Sequence, residues 1–185
     1  MTLIGVAMLL TINTLSAQGL TVQNVEPKFK KREIAITYSD FEKSSISFRK
    51  FKKADTYYRF DLNSSRSSLN SYTYQKGFGF SFGREKIVPI TEKLSFYHGG
   101  NINYRSDFNS YNDNTSRIQT VSIGYRLGVR YDINKRFFVG AEINPQIGIS
   151  RDKQAIQMGN SALIGSKVSP FSSLGDAKIM VGMKF

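Results

Sequence analysis

The residues that could do chemistry are mostly charged, and they recur at alternate positions. Glu33, Arg49, Arg59, Asp61, Arg105, Arg126, Arg130, Asp132, Glu142 and Lys178 each fall on the small or polar side of a segment whose other side is apolar. Charges of both signs held on one face must pair or stay hydrated, because an unpaired buried charge costs several kcal/mol. The expectation is an ion-pair network that fills an interior and stiffens it. A sharper reading makes Arg59, Arg126 and Arg130 the cationic lining of a narrow pore. Catalysis has little to work with. His98 is the single histidine and there is no cysteine, which leaves no thiolate metal site or disulfide framework. Most histidine-cluster metal sites are also excluded, and a Ser-His-Asp triad fits poorly. His98 stands beside Gly99 and Gly100 on the apolar register with no evident Ser or Asn partner, so it reads as an interfacial side chain. No catalytic, cofactor or metal residue is assigned.

The elements that must position these charges show a period of two. From Gly175 to Phe185 the odd positions run Gly, Ala, Ile, Val, Met, Phe, and the even ones Asp, Lys, Met, Gly, Lys. Similar alternation predicts strands over 32–39, 44–51, 56–63, 72–84, 93–105, 117–132 and 137–150. Over 72–84 the pattern sets Tyr72, Tyr74, Phe78, Phe80 and Phe82 against Thr73, Gln75, Gly77, Gly79, Ser81 and Gly83. Aromatics on one face and glycine on the other suit a narrow barrel that is wide outside and must not overfill inside. Lys76 lies on the aromatic register and should snorkel. Pro145 interrupts an otherwise regular strand, which points to a bulge or a distorted register there.

The predicted connections are Asp40–Lys43, Lys52–Asp55, Ser64–Ser71, Glu85–Glu92, Phe108–Ser116, Asn134–Lys135 and Arg151–Ser173, the last being the longest loop. With Phe185 set in the periplasm, the longer ones alternate with the short ones on opposite sides, the first outer loop excepted. The outer loops hold Arg66, Arg117, Arg151 and Lys153 among Ser and Asn residues, with no recognisable binding motif.

Residues 1–18 carry no charge, and Leu3–Ile12 is nearly all apolar. That run is too short to span a bilayer as a helix and reads as a secretory signal cut near Ala17–Gly19. A polar linker over 19–30 and a barrel domain over 31–185 follow. The net charge of +12 points to anionic lipid head groups and lipopolysaccharide phosphates, not to nucleic acid, for an exported chain. At 40% hydrophobic residues, with no further long apolar stretch, a helical membrane protein is excluded.

With these residues in view, the chain resembles the small bacterial outer-membrane β-barrel domains of the OmpA/OmpX type. The leader, eight alternating strands and the closing aromatic Phe185 carry that resemblance from about Lys31 onward. It implies an all-β, eight-stranded antiparallel up-and-down transmembrane barrel, located in the outer membrane as a monomer. It further implies escort by periplasmic chaperones and insertion by the outer-membrane assembly machinery, with Phe185 as part of the assembly signal. Outward aromatics, Tyr38, Tyr58, Tyr72, Tyr104, Tyr125, Tyr131 and Phe185, would form interfacial girdles. The expected role is structural or surface-interacting, without catalysis and with an unidentified extracellular ligand. A porin-like channel, a lipid-modifying barrel enzyme and a soluble lipocalin-like carrier are the alternatives.

Overall fold

A strand exposes hydrogen-bonding groups on both edges, and a sheet that closes on itself satisfies all of them. The computed structural model of the chain, which describes residues 32–40, 43–53, 55–70, 73–111, 114–158 and 161–185, adopts that solution. The expected leader and linker lie outside the described residues, as does Tyr72.

Ten strands follow one another: β1 (Arg32–Asp40), β2 (Lys43–Lys53), β3 (Thr56–Asn70), β4 (Thr73–Pro89), β5 (Leu94–Tyr111), β6 (Asn114–Asp132), β7 (Phe137–Ile143), β8 (Gln146–Met158), β9 (Ser161–Ser173) and β10 (Lys178–Lys184). Sequential neighbours pair antiparallel from β1 to β7, β7 pairs with β10, and β10 returns to β1. The result is a closed antiparallel barrel of eight strands. β8 and β9 continue β7 and β10 beyond short interruptions at Asn144–Pro145 and Leu174–Ala177, and form a hairpin on the far half of β6.

The alternation fixes which way each side chain points. On β6, Ile123 is 65% exposed and Arg130 only 1%. The same division holds for Ile34, Ile36, Phe60, Leu62, Phe78, Phe80, Phe82 and Val181 outside, and for Glu33, Arg49, Arg59 and Asp61 inside. Lys76 is exposed on the outer face, its ammonium 4.9 Å from the Tyr74 ring centroid. An apolar group of Ala35, Tyr57, Ile87, Tyr97, Phe138 and Met180 shares the interior with the charges. Two glycines make room for its largest members. A Cβ on Gly182 would lie 2.2 Å from the Phe138 ring, and one on Gly128 would lie 2.3 Å from the Tyr97 ring.

Strand lengths differ from the alternation-based expectation. Residues 64–70, 85–89, 108–111, 114–116, 151–158 and 161–173, all expected in connections, belong to strands. Asn-, Ser- and Asp-rich stretches carry turn-forming side chains, but here a continuous antiparallel ladder supplies the backbone partners. Ser65 aligns with Gly77, Asn109 with Ser116, and Asp152 with Lys167. The distortion expected at Pro145 is present as the break between β7 and β8. Opposite it, Gly175 takes φ 74°, and a Cβ there would fall 2.4 Å from the Asn144 carbonyl oxygen. Only glycine adopts that backbone without strain.

Candidate functional site

The inward charges meet at the centre of the barrel. Arg59 of β3 is the hub: its Nε donates to Asp61 Oδ1 at 2.6 Å, Nη1 to Glu142 Oε2 at 2.6 Å, and Nη2 to Glu142 Oε1 at 2.9 Å. The two Arg59–Glu142 bonds cross the lumen from β3 to β7 in a bidentate fork, the geometry a guanidinium offers a carboxylate. Arg126 of β6 reaches Asp61 Oδ2 and Glu85 Oε1, each at 2.7 Å. Ser47 and Ser81 donate to the two oxygens of Asp61, and the Tyr97 hydroxyl donates to Glu142 Oε2 at 2.8 Å.

A second cluster lies towards the chain's closing strand. Arg130 donates through Nη1 to both oxygens of Glu33, at 2.8 and 3.0 Å, and through Nε to Asp132 Oδ1 at 2.8 Å. Lys184 of β10 reaches Asp132 Oδ2 at 2.5 Å. Arg49 joins the clusters, with Nε 2.9 Å from Glu85 Oε2 and Nη1 3.7 Å from Glu33 Oε2. Its guanidinium carbon lies 4.8 Å from the Tyr97 ring centroid, and that of Arg130 lies 4.5 Å from the Phe138 ring centroid. Aromatic faces thereby replace part of the hydration these cations lose. Arg49, Arg59, Arg126, Arg130 and Lys184 balance Glu33, Asp61, Glu85, Asp132 and Glu142, so the interior is near electrical neutrality although the chain carries +12. Chemically, this arrangement holds strands in register and fills the lumen; each carboxylate is occupied by an arginine or lysine.

Of the residues expected in a luminal network, Glu33, Arg49, Arg59, Asp61, Arg126, Arg130, Asp132 and Glu142 come together. Lys178 does not. It aligns with Glu142 across β10 and β7, but among the described residues its ammonium has no hydrogen-bond or ion-pair partner. Arg105 stands apart as well, half-buried and paired with Asp107 at 2.7 Å. Two members were missed. Glu85 falls in the expected Glu85–Glu92 connection, yet it continues the inward register of Gly79, Ser81 and Gly83. Lys184 continues the inward register of Met180 and Gly182. Lys184 already stands on the even, polar face of the closing strand, and extending the 72–84 alternation by one residue finds Glu85.

Above the network lie polar side chains and a small cavity of about 110 Å³, lined in part by Thr37, Asn63, Arg105, Asn144 and Lys178. On the outer wall a larger, mostly apolar cleft of about 730 Å³ involves Tyr38, Phe96, Leu127, Val129, Ile143 and Ile179. His98 is on the outside, as its register implies. Its Nδ1 is 2.6 Å from the Tyr125 hydroxyl, and its ring stacks on Phe96 at 5.7 Å. No protein-family model matches this sequence, and the search of curated proteins found no match to it.

Proposed function

We propose that this chain is an integral outer-membrane β-barrel with a structural or surface-interacting role, its lumen closed by the charge network and devoid of catalysis. The observation that carries the reading is the inversion of faces. Arginines and carboxylates are sealed inside, while Ile, Phe, Val and Tyr side chains cover the outside. A water-facing barrel would put the charges outward and an apolar ligand within. Here an apolar ligand would meet Arg59, Arg126 and Glu142 instead.

The outer surface is banded. On β4 the apolar residues Phe78, Phe80 and Phe82 lie between outward Lys76 and Arg84. That interval is about 26 Å along the strand at about 3.3 Å per residue. With the strand tilted by about 40° it spans about 20 Å along the barrel axis, and the long side chains of Lys76 and Arg84 reach outward from its ends to flank an apolar band of about 25 Å. At one margin Arg32, Lys50, Tyr58 and Arg84 stand in register on successive strands, a basic and aromatic row suited to lipid phosphates. At the other margin outward Arg66, Arg117 and Arg151 mark the top of the apolar stripes on β3, β6 and β8. Tyr38, Tyr125, Tyr131 and Phe185 are exposed near the band as girdle residues would be, and Phe185 is available as part of an assembly signal. The partners on this reading are phospholipid, lipopolysaccharide and the chaperones and insertion machinery of the outer membrane.

The chain has no tryptophan, which makes single-tryptophan variants direct reporters of depth. In vesicles containing brominated phospholipid, Ile123→Trp fluorescence is expected to be strongly quenched. Thr115→Trp, on the same face of β6 but beyond the band, is expected to be quenched little. Equal, weak quenching at both sites would point to a soluble barrel. In planar bilayers the protein is expected to give no steady conductance steps; regular steps would favour the channel.

A further inference from the structure

We infer that the barrel wall holds a binding site for one long-chain fatty carboxylate, with the acyl chain in the outer cleft and the carboxylate on Lys178. The site rests on the membrane reading above, since it opens on the apolar outer face. Three observations converge on it.

The first is a lapse in backbone pairing. The ladder between β1 and β10 ends at Tyr38 with Ile179, and that between β7 and β10 ends at Glu142 with Lys178. Pairing resumes only where Gln146 of β8 meets Ser173 of β9. Between these points Asn144–Pro145 and Leu174–Ala177 belong to no strand, and Pro145 has no N–H to offer. The wall is interrupted there.

The second is the pair of cavities at the interruption. The outer cleft, about 730 Å³, falls within the roughly 300–1,000 Å³ typical of small-molecule sites. Its apolar lining suits an acyl chain. The inner cavity is small and polar, and Ser39 and Lys178 belong to the linings of both. An elongated amphiphile seated in the cleft would therefore present its head to Lys178.

The third is charge. Every other basic side chain around the inner cavity already has a carboxylate: Lys43 pairs with Asp176 at 3.2 Å and Arg105 with Asp107 at 2.7 Å. Lys178 is half-buried and has none among the described residues. A cation left without a partner beside an apolar cleft calls for an anionic group from elsewhere. A carboxylate satisfies it without displacing a native pair.

The test uses the full chain folded in maltoside micelles, with Phe96→Trp as reporter in the cleft and Ile147→Trp as reporter on the outer face away from it. Each is titrated with 9,10-dibromostearate and with its neutral methyl ester. Saturable quenching at position 96 by the carboxylate is expected, with roughly linear quenching at position 147. Adding Lys178→Met should weaken the carboxylate's apparent affinity about tenfold and leave the ester unaffected. Adding Ala141→Phe, which fills the cleft from its outer face, should abolish saturation. Linear, equal quenching at both reporters would overturn the site while leaving the membrane barrel standing. So would an affinity indifferent to Lys178→Met. Absence of quenching at both reporters would overturn the membrane reading, and the site with it.

Discussion

The lower and upper halves of this molecule are built from the same strands by different means. In the lower half, all eight strands pair on both sides, the outside is Ile, Phe, Val and Tyr, and the inside is a neutral lattice of arginines and carboxylates. In the upper half, β3 to β6 run on and are joined by the β8–β9 hairpin, but among the described residues the ring is not completed, since β9 pairs there with β8 alone. Towards its rim the outward residues turn to Arg66, Lys76, Thr115, Arg117, Arg151 and Lys153, with Tyr74, Phe108 and Val168 among them, and the contacts include exposed hydrogen bonds such as Arg151 to Ser166 at 3.2 Å. The lower half adds to its ladders a lattice of buried, mutually paired charges; the upper half relies on ladders and exposed contacts that water could replace.

Substitutions should therefore separate the two halves. Glu142→Ala leaves Arg59 without its fork and strands the Tyr97 hydroxyl, so it should cost about 3–5 kcal/mol in urea unfolding from vesicles. Replacing both partners, Arg59→Met with Glu142→Met, should cost less than Glu142→Ala alone, because no buried charge is orphaned by the pair's own removal. A double variant worse than the single would mean that Arg59 acts mainly through Asp61 and Ser47. Gly182→Leu drives a side chain into the Phe138 ring and should cost about 1–3 kcal/mol by the same assay. In the upper half, Arg151→Ala should change stability by no more than about 0.5 kcal/mol. A large loss there would show that the hairpin extension is coupled to the ring.

How much of this was legible in the sequence follows from the same contrast. Alternation read correctly wherever one face was apolar. Ile34, Phe60, Phe80, Ile123 and Val181 were placed outside, and eight of the expected charges inside, without knowledge of any contact. It failed where the apolar face gives out. Ser64–Asn70 and Arg151–Ser173 have no face to mark a period, so their serines and asparagines read as turn formers although residues 64–68, 70, 151–158 and 161–173 are laddered. Glu85 lies one residue past the expected strand end at position 84, whereas the strand runs on to Pro89. Pairwise partners were not legible. Nothing in the period distinguishes Arg59, which crosses the lumen to Glu142, from Lys178, which aligns with the same Glu142 and does not reach it. That distinction depends on which strands face one another across the closed ring.

The central claim is that the charged face is inside and the apolar face meets lipid. Heat-modifiability tests it most directly: the chain from residue 19 onward is folded into detergent micelles and run on a gel, unheated and boiled. The account predicts two mobilities, with β-type circular dichroism in the unheated sample and loss of the folded band in Glu142→Ala at lower temperature. A chain that dissolves without detergent and migrates identically in both lanes would contradict it.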